Sequence, residues 1–143
     1  MARTKAGRGG PRHVRLYHHM LESNAWAALS ANARAIYVEI AKRFMGTNNG
    51  RIPHSVREAA ASLHISTATA SRAIHQLQEL GFIVAVTKGA FSLKKRHATE
   101  WRLTEFAGDV PGSSLGVASK EFMQHGASPK RRAYPPGKLE VYP

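Results

Sequence analysis

The sequence predicts a mainly α domain with a small β-hairpin, and three observations carry that expectation. Apolar residues recur at helical spacing in four stretches between residues 13 and 80. Two β-type runs follow, at 82–86 and 99–104. Glycine-, proline- or arginine-rich segments flank this orderly middle on both sides. A length of 143 residues fits one compact domain with some tail left over, and a hydrophobic share of 43% is enough for a core.

Val14, Tyr17 and Leu21 recur at i, i+3 and i+7, which predicts a helix over about 13–22 ended by Ser23-Asn24. Ser30 is a good N-cap for a second helix with Ala33, Ile36, Tyr37, Ile40 and Phe44 on one face. Gly46 and Asn48-Asn49-Gly50 close it and make a turn. Ile52-Pro53 suits a very short strand. Ser55 and Glu58 have capping-box spacing, opening a helix over about 56–63 that buries Val56, Ala59, Ala60 and Leu63. A turn at His64-Ile65-Ser66 leads to a helix over about 67–80, with Ala70, Ala73, Ile74, Leu77 and Leu80 as its apolar stripe. Gly81 stands where a left-handed residue ends a helix. Phe82 to Val86 reads as a strand, a basic loop follows, and Thr99 to Thr104 alternates so that Trp101 and Leu103 face inward.

The organisation is therefore a flexible basic arm over 1–12, a folded domain over 13–106 and an irregular Pro/Gly/Ser-rich tail over 107–143. The chain carries 21 Lys plus Arg against nine acids, a formal charge of +12. Residues 1–20 hold +5, residues 21–104 hold +6 and the remainder +1. A pI near 10.8 points to a polyanionic partner, most often nucleic acid. Zero cysteines exclude disulfides, thiolate zinc sites and cysteine nucleophiles. Asp109 is the only aspartate, which leaves little for metal-dependent phosphoryl chemistry. His18 and His19 are adjacent and so diverge on a helix. His54, His64 and His97 fall on separate elements, so no metal site is expected. Tyr17 beside His18-His19 lacks the spacing and the acids that nicking chemistry needs. Trp26 and Trp101 read as core and interface anchors rather than base-stacking platforms. The expectation is a binder with no cofactor, not an enzyme. No run of about 18 apolar residues is present to span a membrane, and the first residues lack a secretory apolar region, so the expected location is cytoplasmic.

Two short helices joined by a tight turn and followed by a two-stranded hairpin make a winged helix-turn-helix. The segment from Ile65 to Ile74, with Leu77, Leu80, Gly81, Phe82 and Ile83, resembles the recognition helix and wing entry of the winged-helix family. The wider stretch from Ser23 to Leu103 is similar to small phage- and plasmid-type winged-helix proteins of bacteria, some linked to transcription and others to replication. The resemblance spans somewhat over half the chain and excludes the arm and the tail. It implies double-stranded DNA as partner, and a nucleoid-associated or phage-encoded setting.

Carried over by position, Ala70, Ile74 and Leu77 face the core. The DNA-facing set is Ser66, Thr67, Thr69, Ser71, Arg72, His75 and Gln76, with Ala68 among them. Arg72 has the geometry for guanine O6/N7 and Gln76 for adenine N6/N7. Lys88, Lys94, Lys95 and Arg96 sit on the wing, and Arg3, Lys5 and Arg8 can trail into a minor groove. The favoured role is transcriptional regulation of a phage or mobile-element type. The rivals are origin recognition in replication and a winged-helix module for protein or RNA. Homodimerisation would use the 13–22 helix with Trp26, unless that helix completes the monomer's own core. A protein partner would take the tail peptide Leu139-Glu140-Val141-Tyr142.

Overall fold

The computed structural model describes residues 10–87, 90–91, 96–108 and 117–124, the strand residues 90–91 and 96–97 by backbone alone. The architecture is α plus β: helices packed on a small antiparallel sheet.

The first helix is shorter than its periodicity predicts. Tyr17 is extended (φ −75°, ψ 144°), and α1 spans only His18–Leu21. Upstream, Val14 and Leu16 pack against the core while Arg15 and Tyr17 are exposed, an alternation of two rather than a helical stripe. Ser23 does not merely end this helix. Its hydroxyl accepts from the Trp26 amide (3.1 Å) and so opens a second one, α2, Asn24–Ala28. Met20 and Trp26 are buried in the chain's own core, the second of the two roles open to them.

Side-chain caps place the next helices where the sequence expects them. The Ser30 hydroxyl accepts from Ala33 N and starts α3, Ala31–Lys42, which buries Ala33, Ile36, Tyr37, Ile40 and Ala41. The capping box of α4, Val56–Leu63, is complete: Glu58 N donates to Ser55 Oγ (3.1 Å) and Ser55 N to Glu58 Oε2 (2.9 Å). His64 ends α4 in the left-handed region (φ 55°), and Ser66 caps α5, Thr67–Glu79.

The strands are β1 Ile52–Pro53, β2 Ile83–Thr87, β3 Ala90–Phe91, β4 Arg96–His97 and β5 Glu100–Leu103. The main sheet runs β1-β5-β2, all antiparallel, with Ile52 opposite Trp101 and Ile83 opposite Leu103. Trp101 and Leu103 point into the core as their alternation requires. A bulge between Ala85 and Thr87 shifts the register at the outer end of β2. Beyond it the stretch expected to be loop pairs again, as β3 with β4.

The region expected to be an irregular tail holds a core element. Glu121–Gln124 form a 3-10 turn, and Phe122 is fully buried against the Phe82 ring, 5.1 Å between centroids. Lys120 N donates to Thr104 O (2.8 Å), and Arg102 reaches Ser119 Oγ (2.9 Å) and Glu121 (3.3 Å). Gly81 makes this docking possible. Its φ is +80°, and a Cβ there would lie 2.8 Å from the Glu121 backbone.

The 48–50 turn is itself a structural centre. Asn49 is fully buried, and its amide donates to the carbonyls of Leu103 (2.9 Å), Phe106 (3.0 Å) and Ala107 (2.8 Å) while its oxygen accepts from Leu103 N (2.7 Å). One side chain thus satisfies the backbone where the chain leaves β5. Asn49→Leu, which fills the space but strands these groups, is expected to cost about 3 kcal/mol of unfolding free energy in urea titrations.

Candidate nucleic-acid interface

The turn at 64–66 sets α5 across α4, and small residues at the crossing (Ala59, Ala60, Ala70, Ala73) are all buried. The stripe Ala70, Ala73, Ile74 and Leu77 seals one face of α5 against the core. The opposite face is left to solvent: Ser66, Thr67, Ala68, Ser71, Arg72 and His75 are exposed, and Thr69 is half-buried. Thus the structure brings the residues expected at the start of α5 onto one helical surface.

Their hydrogen bonds distinguish them. The Ser66 hydroxyl accepts from Thr69 N (3.1 Å) and donates to Thr69 Oγ1 (2.9 Å). Arg72 leans back onto the same Thr69 oxygen at 3.4 Å, so its guanidinium is held over the first turn of α5. That first turn contains no acid, and its unbonded amides add the positive end of the helix dipole. Toward the other end the sign reverses, where His75 pairs with Glu79 at 2.9 Å.

Gln76 stands apart from the others. Its oxygen accepts from Ser30 N (2.9 Å), and its amide donates to Ala28 O (3.2 Å). Both ends of the side chain are engaged in locking α5 to the α2–α3 corner, so pairing with adenine would require breaking both bonds. Between that corner and α5 runs a groove of about 440 Å³, with Ser30, Asn32, Arg72 and His75 on its walls. Ser30 and Asn32 were not among the expected contact residues. They reach the groove only through the packing of α3 on α5, which no local pattern records.

Arg3, Lys5, Arg8, Lys88, Lys94 and Lys95 lie outside the described residues, as does the peptide 139–142. Arg96 falls on β4, where the backbone alone is described.

A cluster of charged and titratable groups lies at the start of α4. Glu58 Oε2 accepts from Arg43 (3.1 Å) and lies 3.7 Å from Nδ1 of the fully buried His54. Burial holds the His54 pKa below its usual 6.5, and the Arg43 charge adds to that, outweighing the carboxylates of Glu58 and Glu39. For Glu58, burial pushes upward but is outweighed by the hydrogen bond from Ser55 and by Arg43, so its carboxyl ionises below the usual 4.5. Among the described residues, no three His, Asp or Glu side chains gather as a metal site would need, and no helix is long and apolar enough to cross a membrane.

No protein-family model, curated protein or solved structure matches the chain.

Two outcomes are expected. Gln76→Ala should lower stability by about 1 kcal/mol in urea unfolding, because it strips partners from Ser30 N and Ala28 O; unchanged stability would refute its locking role. The second concerns pH. The folded state resists protonating His54, so below pH 6.5 the unfolded chain binds the extra proton and stability falls as pH drops. Glu58 contributes stability that is present above 4.5 and lost as pH falls through its lower folded value. His54→Leu should therefore flatten the stability profile between pH 7 and 5 while leaving the steeper acid limb.

Proposed function

We propose that this protein binds double-stranded DNA with sequence preference, as a winged helix-turn-helix regulator of transcription of the mobile-element type. The observation that carries this reading is the exposed, acid-free amino-terminal half of α5, with Arg72 held over it by Thr69. An α-helix fits the B-DNA major groove, and short polar side chains at its leading end let the backbone approach base edges. The order α3-β1-α4-α5-β2-β5, with β5 central in the sheet, supports the winged-helix assignment. The net charge of +12 supplies the long-range attraction to a polyanion.

In this reading the helix enters the groove by its first two turns. Thr67, Ser71 and Arg72 read base edges, Ser66 and Thr69 order that surface, and Gln76 sets its angle. The His75–Glu79 pair stays at the groove's margin, because a carboxylate is repelled by phosphate. The hairpin between β2 and β5, with its lysines, meets the flanking backbone.

Selection of bound sites from a randomised duplex pool is expected to return a defined motif. Arg72→Ala should relax preference at one position, by about 1–3 kcal/mol, without loss of fold. If about six phosphates are neutralised, the log–log dependence of affinity on salt should have a slope of roughly −5, flattened by replacing Lys94 and Lys95. Unchanged selectivity in Arg72→Ala would refute the groove geometry. Weak, non-selective duplex binding alongside a stoichiometric protein complex would favour an interaction module instead.

A further inference from the structure

A second concave surface lies where the segment before α1 crosses the carboxyl-terminal end of α3. The cleft encloses about 610 Å³, within the range of small-ligand sites. Its two walls differ in chemistry. One is apolar and aromatic: Ala41 with the half-buried rings of Phe44 and Phe106, whose centroids are 4.7 Å apart at 27°. The other is basic, with the cationic Arg12 and Arg15 and the imidazole of His13, all exposed. His13 donates its Nδ1 proton to the Pro11 carbonyl (3.0 Å), which orients the ring. Among the described residues, none lining the cleft is acidic and neither arginine forms a salt bridge.

A cleft lined both by two arginines and by a pair of rings suits a ligand with an anionic group and a flat ring system. The rings supply a stacking face and the arginines supply forked donors for phosphate oxygens. An isolated phosphate would leave the aromatic wall unused, and an uncharged ring would leave the arginines uncompensated. We infer that this cleft binds a nucleotide, its base against Phe44 and Phe106 and its phosphate between Arg12 and Arg15. The chemistry is shared by a free mononucleotide and by a nucleotide within a single strand. None of these residues belongs to the α5 surface, so the inference stands independently of the duplex reading.

The test is calorimetric titration of the full chain with AMP, adenosine, inorganic phosphate and a short single-stranded oligo-dA. AMP or oligo-dA should bind saturably, with adenosine and phosphate each at least about tenfold weaker than AMP. Tighter binding of the oligonucleotide identifies a single strand as the source, and binding of AMP alone identifies the free nucleotide. The double variant R12Q/R15Q, altered only at exposed positions, should weaken AMP by about tenfold or more. Phe44→Leu keeps an apolar side chain but removes the stacking face, and should weaken AMP several-fold while leaving duplex affinity unchanged. Absence of saturable binding of both AMP and oligo-dA at millimolar concentration overturns the proposal. So does wild-type affinity in R12Q/R15Q.

Discussion

Phe82 is the side chain through which the rest of the molecule is assembled. It follows Gly81 directly at the end of α5, and its ring meets Trp26 of α2 edge-on at 5.7 Å, Tyr37 of α3 at 6.0 Å, and Phe122 stacked at 5.1 Å. Trp26 and Tyr37 close the set on each other at 5.7 Å. Such pairs contribute about 0.5–1.5 kcal/mol each beyond the burial of their area, and here they share partners. The cluster therefore determines where α5 stops relative to α2, α3 and the 3-10 turn. Tyr37 keeps this centre neutral, since burial, reinforced by the charge of Glu105, raises its phenol well above the usual value.

α5 is held along one face, by Ala70 and Ala73 where it crosses α4 and by Leu77 further on, which leaves the opposite face of its first turns exposed. Phe82 anchors the residue after the helix, Gln76 ties the last two turns to the α2–α3 corner, and Leu77 is fully buried. Nothing comparable covers the side chains of Thr67, Ser71 and Arg72. Charge follows the same polarity, with no acid in the first turn and Glu79 in the last. Exposure and electrostatic sign thus coincide on the same half of the helix, as the proposed DNA contact requires.

Features written within a few residues were legible in advance. The hydroxyls of Ser30 and Ser55 each accept from an amide three residues on, so the signal and its partner share one window of sequence. Trp101 and Leu103 announced their buried face by alternation alone. The helix expected over 13–22 failed for a related reason: Val14, Tyr17 and Leu21 mimic a stripe, but Ser23 gains more by capping α2, and Leu16 rather than Tyr17 packs inward. Asn49 read as one turn residue among several. Its partners at Leu103, Phe106 and Ala107 lie more than fifty positions away, beyond the reach of any periodicity. Phe122 was obscured by its Gly- and Ser-rich surroundings, although a glycine as cramped as Gly81 implies that some backbone must approach it.

The α5 surface was likewise visible only in part. The winged-helix resemblance, carried over by position, put Ser66, Thr67, Ser71, Arg72 and His75 on the outside, and they are exposed. The same resemblance assigned Gln76 to that set, and only the position of α3 turned its amide inward to Ser30 and Ala28. By itself the sequence determined α3, α4 and α5, the caps at Ser30 and Ser55, the alternating strand and the excess of positive charge, all of which depend on neighbours three or four residues apart or on composition. The tertiary structure alone decided which polar side chains are already engaged, which tail residue completes the core, and that Arg12 and Arg15 line one cleft with Phe44 and Phe106. Those outcomes require distant segments to meet, and a hydrogen bond or a ring contact leaves no periodic trace in the chain that forms it.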